Sequence, residues 1–140
     1  MEDISRQLVK DGEGATKCVD IIIKDAATTA DAKRCAKSVA ESLLVKTAFF
    51  GNDPNWGRIA CAAGYSGAQL DPDKLTIYFD DALIFQNGSP SEMKPDDLAV
   101  IMKKSEFTVT VILGTGKESF RYITSDISID YVKINAEYST

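Results

Sequence analysis

The strongest constraint on the fold of this chain is a predicted helix whose buried face is built from small side chains. Thr28-Thr29-Ala30-Asp31 has the form of a capping box, which favours a helix start. Such small residues let a helix approach another backbone closely, so we expect this helix to lie against a sheet. Its apolar positions keep the i, i+3, i+4 spacing of one helix face: Ala32, Cys35, Ala36, Val39, Ala40 and Leu43.

Apolar runs bounded by turns predict the strands of that sheet. Residues 16–24 read as a largely buried strand, with Val19, Ile21 and Ile23 on one face. Two strands over 75–79 and 82–86 are predicted to join at Asp80-Asp81 and to be followed by an Asn87-Gly88 turn. Further strands are predicted over 107–113, 120–124 and 127–134, and further helices over 2–10, 59–63 and 95–103. Since strands gather late and helices are interspersed, the predicted class is α+β, with a mostly antiparallel sheet packed with helices.

Composition narrows the classes of partner. The chain has 140 residues, of which 44% are hydrophobic and 26% charged, as expected for one globular domain. The net charge of −5 without a basic cluster argues against nucleic acid or an anionic membrane as a partner. Because no apolar run approaches about 18 residues and no signal-peptide pattern occurs, we expect a cytoplasmic protein.

The cysteines and the absence of histidine restrict the chemistry. Cys18, Cys35 and Cys61 are far apart among apolar residues, and we expect buried free thiols. With no histidine in the chain, a zinc site or a Cys-His nucleophile is close to excluded, and no metal site is predicted. Any general base must then be Asp, Glu, Lys, Tyr, a chain terminus or a group from another polypeptide.

The segment Asn52-Asp53-Pro54-Asn55-Trp56-Gly57-Arg58 concentrates more unusual residues than any other. It holds the only tryptophan beside two amides, a carboxylate and a guanidinium. We expect a shaped loop that leads into a helix, with Asp53 as N-cap and Pro54 at the first helical position. Site-lining and purely structural roles for this loop remain equally open.

Other motifs are better explained by structure than by catalysis. Gly114-Thr115-Gly116-Lys117 lacks the spacing of a phosphate-binding loop and predicts a hairpin turn. The paired acids at 80–81 and 96–97 fit a turn and a helix N-terminus. Thr16 follows a glycine-rich turn and could mark a self-cleavage site, but the chain continues directly into a strand. Glu13, between two glycines, could meet a cationic ligand or be a solvated turn residue.

Three blocks of sequence give the chain its resemblance to a known family. They are Leu8-Val9-Lys10-Asp11-Gly12-Glu13-Gly14-Ala15-Thr16-Lys17, the run from Val45 to Gly51 with Asp53-Pro54-Asn55-Trp56-Gly57-Arg58, and Tyr131-Val132-Lys133-Ile134-Asn135-Ala136-Glu137-Tyr138-Ser139-Thr140. Through them the chain resembles, over its whole length, the ornithine acetyltransferases, bifunctional glutamate N-acetyltransferases of arginine biosynthesis.

The resemblance implies a mechanism. Members of the family cleave their own precursor at an Ala–Thr bond, and the new N-terminal threonine carries acetyl from N-acetylornithine to glutamate. The free α-amine of that threonine serves as base, which suits a chain without histidine. An α2β2 heterotetramer is implied, with no cofactor, although acetyl-coenzyme A is possible as an acetyl donor of the full enzyme.

The same resemblance implies which residues contact substrate. Three family substrate-binding positions map to Glu13, Asn135 and Thr140, whereas no catalytic residue maps to this chain. Thr16 is not the nucleophile, because its block is a separate downstream element of the family. Glu13 could pair with an ammonium group, and Asn135 could both donate to and accept from a carboxylate or acetamide.

The chain thus looks like the C-terminal part of the β chain. We expect a single unit over 1–140, in which 1–15 form a helix and turn against an upstream domain and 16–140 form the C-terminal domain. Alone it is expected to be catalytically inert, with Phe49 and Phe50 partly exposed. The alternative is a non-catalytic amino-acid-binding or interaction module.

Overall fold

A computed structural model describes residues 17–126, which form a six-stranded sheet and four helices. In chain order the elements are β1 (Cys18–Ala26), α1 (Thr29–Glu41), α2 (Leu43–Phe50), α3 (Trp56–Gly64), β2 (Thr76–Phe79), β3 (Ala82–Gln86), β4 (Ser89–Pro90), α4 (Pro95–Met102), β5 (Glu106–Ile112) and β6 (Glu118–Ser125). The α+β class with a mostly antiparallel sheet is confirmed. The predicted helix over 2–10 and the predicted strand over 127–134 lie outside the described residues.

The sheet order is β4-β3-β2-β5-β1-β6, which places the two longest strands, β1 and β6, side by side. The pairing of β1 with β5 is parallel, and the other described pairings are antiparallel. On β1, Val19, Ile21 and Ile23 are fully buried, as the alternation predicts. Their neighbours on β5 (Phe107, Val109 and Val111) are buried on the same face, so these two strands form the centre of the core.

Helix α1 covers this apolar face as its small residues predict. Thr28 is the N-cap, and its side chain accepts a hydrogen bond from the backbone N–H of Asp31 at 3.0 Å. The helix lies against β1 and β6, and the Thr124 hydroxyl donates to the carbonyl of Ala40 at 2.7 Å. Five residues of its apolar face have no exposed surface: Ala32, Cys35, Ala36, Val39 and Ala40.

The prediction that Leu43 continues this face is wrong. Ser42 is extended, with φ −65° and ψ 120°, so it ends α1 and caps α2 through its side chain. Leu43 therefore starts a new helix and is 64% exposed. The predicted partial exposure is wrong for Phe49, which turns inward onto the ring of Phe107, but Phe50 is half-buried as expected. Leu43 and Leu44 are the more exposed apolar residues of this region.

The Gly114-Thr115-Gly116 turn does not close a hairpin. Strand β1 lies between β5 and β6, so the turn carries the chain across the end of β1. The backbone N–H groups of Thr115 and Gly116 both donate to the carbonyl of Asp25, at 2.9 and 3.1 Å. A Cβ on Gly116 would stand 2.4 Å from the carbonyl oxygen of Ala26, which explains the glycine.

Gly116→Ala is expected to lower the free energy of unfolding by about 1–3 kcal/mol, because the added methyl meets fixed backbone. Gly64→Ala is the matched control, since nothing lies within 4 Å of its Cβ. Chemical denaturation of the two variants should show a loss for Gly116→Ala alone. Equal stability of Gly116→Ala and the parent chain would contradict the close approach.

The cysteines are free thiols, but only Cys18 and Cys35 are buried. The prediction of burial is wrong for Cys61, which faces solvent on the outer side of α3. Burial raises the pKa of the Cys35 thiol to about 11. This thiol therefore favours the folded state fully below the thiol's ordinary pKa, and the contribution is lost as the pH rises towards 11.

A thiol-specific reagent at about pH 8 is expected to modify Cys61 quickly and the two buried thiols only on unfolding. Cys61→Ser should abolish the fast phase while leaving two thiols that react in denaturant. A fast phase that persists in Cys61→Ser would show that a buried thiol is open to solvent.

Candidate functional site

The loop from Asn52 to Arg58 begins with a tight reversal after α2. Asn52 has a positive φ of 56°, a left-handed conformation that asparagine tolerates better than most residues. Its N–H donates to the carbonyl of Phe49 at 3.1 Å, and the N–H of Asp53 donates to that of Ala48 at 2.9 Å. The predicted cap at Asp53 is wrong by two residues. Asn55 is the N-cap of α3, and its Oδ1 accepts from the N–H of Arg58 at 3.0 Å.

The conspicuous side chains of the loop are used within the fold. The ring of Trp56 stacks on that of Phe85 with centroids 4.7 Å apart and planes 21° from parallel. Arg58 donates through Nη1 to the carbonyl of Leu44 at 2.9 Å and contacts the Thr47 hydroxyl at 3.4 Å. These contacts favour the structural role for this half of the loop, since the Trp56 ring and the Nη1 group of Arg58 both contact other parts of the fold.

Asn55→Ala is expected to lower the free energy of unfolding by about 1 kcal/mol, because it removes the cap of α3. Asn55→Asp keeps an oxygen at the capping position and should retain most of the stability. Urea denaturation of both variants checks this. If both variants were equally destabilised, the amide would have a role other than capping.

Asn52 differs from its neighbours because a buried lysine holds its side chain. The Nζ of Lys17 donates to Oδ1 of Asn52 and to the backbone carbonyl of Met102 at the end of α4. Lys17 is only 5% exposed, and its Nζ lies 5.8 Å from the centre of the Phe107 ring. Burial lowers the pKa of Lys17, and the nearby carboxylate of Asp126 partly opposes that shift.

Asp126 completes this cluster from the other end of the described chain. Its Oδ1 accepts from the backbone N–H of Lys17 at 2.9 Å, and the residue is 2% exposed. The described chain therefore begins and ends at one place. We call Lys17, Asn52, Met102 and Asp126 the junction cluster.

The three predicted substrate-binding residues, Glu13, Asn135 and Thr140, lie outside the described residues. The described residues nearest to them in sequence, Lys17 and Asp126, lie side by side. Glu13 is four residues before Lys17, and Asn135 is nine residues after Asp126. Both segments thus leave the described part of the chain from the junction cluster, beside the Asn52 turn.

A concave surface lies on the face of the sheet opposite to the core residues Val109 and Val111. It is an open groove of about 350 Å³ lined by Lys24, Tyr78, Asp80, Asp81, Thr110 and Ile112. The carboxylate of Asp80 is already engaged, by the N–H of Thr108 at 2.9 Å and by Nζ of Lys104 at 2.8 Å. These two contacts confirm a structural role for Asp80. Within residues 17–126 no group of three or more acids or thiols could hold a metal.

The sequence did not single out Lys17 or Asp126. Lys17 ends one of the three sequence blocks of the family, and a lysine before an apolar strand ordinarily faces solvent. The missing information is tertiary, because its partners lie 35, 85 and 109 residues away. Of the residues in the junction cluster, only Asn52 has a sequence feature that points to a special role. It is an amide directly after a glycine, in a loop of unusual composition.

Fold and junction together define a class, namely an α+β domain in which α1 packs on a mixed sheet and the two ends of the described residues meet at a buried lysine. Among residues 17–126, none of the helices is long and apolar enough to cross a membrane. The chain belongs to the ArgJ family, whose model matches residues 1–140.

Individual relatives agree with this assignment. The chain is 52% identical over 139 residues to the arginine biosynthesis bifunctional protein ArgJ of Geobacter sulfurreducens, covering 98% of this chain and 35% of that protein. It is 41% identical over 148 residues to a glutamate N-acetyltransferase of Methanocaldococcus jannaschii, covering 99% and 36%. A crystal structure of ArgJ from Bacillus halodurans superposes with a TM-score of 0.91 at 34% identity, covering 98% of this chain and 65% of that one. The chain thus spans about a third of the length of these curated relatives.

Proposed function

We propose that this chain forms the C-terminal part of a bifunctional ornithine acetyltransferase and glutamate N-acetyltransferase of arginine biosynthesis. The observation that carries the proposal is the family match over residues 1–140, at 52% identity to a bifunctional relative. Because the match covers only 35% of that relative, the remaining machinery is assigned to polypeptide outside these 140 residues.

In this proposal the whole of 1–140 is one α+β unit. Residues 1–15 pack as a helix and turn on an upstream domain, and 16–140 form the C-terminal domain. The exposure of Leu43 and Leu44, at 64% and 62%, is consistent with a surface that another part of the enzyme covers. The assembly is proposed to be a cytoplasmic α2β2 heterotetramer.

The proposed reaction has two steps, acetylation of the enzyme and transfer of the acetyl group to glutamate. The hydroxyl oxygen of an N-terminal threonine, formed upstream by cleavage of an Ala–Thr bond, attacks the acetyl carbonyl of N-acetylornithine. The bond to nitrogen breaks, ornithine leaves with the proton, and an acetyl ester remains on the threonine. The amine of glutamate then attacks the ester, the threonine oxygen leaves and regains a proton, and N-acetylglutamate forms. The threonine's own α-amine transfers the protons, and no cofactor is needed, although acetyl-coenzyme A could replace the first donor.

The role of this chain is to bind the amino-acid end of the substrate. Glu13 is proposed to accept from the substrate ammonium, while Asn135 and Thr140 hydrogen-bond its polar groups. What supports this grouping is the contact between Lys17 and Asp126, from which the segments of all three residues depart. A fully extended chain spans at most about 3.6 Å per residue, so Glu13 lies within about 14 Å of Lys17.

The test is acetyl transfer from N-acetylornithine to glutamate, measured with the chain alone and with the chain expressed together with the N-terminal two thirds of the Geobacter sulfurreducens relative. We expect turnover only in the combination, with an acetyl group trapped on the threonine. Turnover by the chain alone would contradict the assignment of the nucleophile upstream.

Calorimetry separates this function from that of a non-catalytic amino-acid-binding module. The chain alone is expected to bind glutamate, ornithine and N-acetylornithine weakly, because half of the pocket wall is proposed to come from elsewhere. Tight and selective binding of one of them by the chain alone, together with no turnover by the combination, would favour the module instead.

Glu13→Ala in the reconstituted enzyme is expected to lower kcat/KM by about 10- to 100-fold, which corresponds to the loss of one charge-assisted hydrogen bond. Glu13→Gln should recover part of the loss if geometry contributes beside charge. Glu92→Ala, at an exposed position, is the matched control and should leave kcat/KM unchanged. An unaltered kcat/KM in Glu13→Ala would make Glu13 an ordinary turn residue.

A further inference from the structure

Lys17 is an unusual residue to bury, because both acceptors of its ammonium are uncharged. They are the amide oxygen of Asn52 and the carbonyl of Met102. Taking an ammonium out of water is unfavourable unless hydrogen bonds and a counter-charge compensate. Here the counter-charge is Asp126, whose carboxylate is fixed by the backbone of the same lysine.

The side chain of Lys17 joins the Asn52 turn and the end of α4 to the start of β1, whereas Asp126 lies beside Lys17 because β1 pairs with β6 at Cys18 and Ser125. Asn52 belongs to the turn after α2, Met102 is the last residue of α4, and Asp126 follows β6. The side chain of Lys17 reaches the first two while its backbone N–H reaches the third. The Lys17 side chain therefore fixes the Asn52 turn and the end of α4 relative to the start of β1, and the β1–β6 pairing places the end of β6 at the same point.

The left-handed conformation of Asn52 explains what the hydrogen bond from Lys17 could stabilise. A non-glycine residue at φ 56° is held there at some cost in free energy, and it persists where its surroundings fix it. The local hydrogen bonds of Asn52 and Asp53 to Phe49 and Ala48 are backbone bonds and do not involve the Asn52 side chain. The Lys17 ammonium is the contact that fixes the side chain of Asn52 from across the fold.

We propose that Lys17 is a positioning residue, whose ammonium through Asn52 fixes the loop at 52–58 relative to the start of β1 and the end of β6, the two points after which the substrate-binding positions Glu13, Asn135 and Thr140 are proposed to follow in sequence. This inference rests on the proposed function, since it assigns the purpose of this arrangement to substrate binding. Lys17 itself is buried by protein atoms and is assigned no contact with substrate.

The first test uses the 140-residue chain alone. Lys17→Met keeps the length of the side chain and removes the ammonium, and Lys37→Met makes the same change at an exposed position of α1. Hydrogen exchange at the amides of Asn52 and Asp53 should quicken by about tenfold or more in Lys17→Met. The amides of β1 and β5 should keep their protection, as should all amides in Lys37→Met.

A double-mutant cycle separates a specific link from general loosening. Asn52→Gly preserves access to the left-handed conformation and deletes only the acceptor of Lys17. If the two residues act as one unit, Lys17→Met should have a much smaller effect on exchange of the Asp53 amide in the Asn52→Gly background than in the parent chain. Additive effects on that amide would overturn the proposal.

The second test measures acetyl transfer in the combination with the Geobacter sulfurreducens N-terminal part. A positioning role predicts that Lys17→Met raises KM for N-acetylornithine by about tenfold while kcat changes less than threefold. A merely structural role would lower the active fraction, and hence kcat, at constant KM. An unchanged KM in Lys17→Met overturns the proposal. No turnover with the parent chain would count against the proposed acetyl transfer instead, and the exchange cycle would still decide whether Lys17 fixes the Asn52 turn.

Discussion

The close approach of α1 to the β1–β6 edge of the sheet is the contact on which the rest of the structure depends. Alanines at 32, 36 and 40 bring the helix near enough for the Thr124 hydroxyl to reach the carbonyl of Ala40. Larger side chains would push the helix outward and break this bond. Helices α2 and α3 pack on α1, so the position of the Asn52 turn between them depends on the contact of α1 with the sheet.

Features governed by local rules were predictable from the sequence. Thr28 caps α1 because its hydroxyl meets an N–H three residues on, and the alternation of β1 follows from a period of two. The prediction at Leu43 failed because helical spacing continues past Ser42 while the backbone does not. The loop also holds two residues that could cap the helix, Asp53 and Asn55. Asn55 is the cap because α3 begins at Trp56.

Features that depend on tertiary contacts could not be predicted from the sequence. The turn at Gly114 looks like a hairpin locally, and only the insertion of β1 between β5 and β6 makes it a connection over a strand end. The candidate site divides in the same way. The family resemblance implies Glu13, Asn135 and Thr140 as substrate-binding positions, but nothing in the pattern of residues indicated that Lys17 would be buried against partners distant in sequence.

The junction cluster is better explained by geometry than by stability. Burial lowers the pKa of Lys17, so the unfolded chain binds this proton more tightly than the folded chain does. The charged lysine therefore opposes folding at neutral pH, and this opposition fades only as the pH rises through the lowered pKa towards 10.5. A methionine would fill similar space without that cost, yet it could not hold Asn52 or balance Asp126. A charge kept at a cost to stability is expected where a precise arrangement matters more than the free energy of unfolding, and here that arrangement is the place from which both substrate-binding segments are proposed to start.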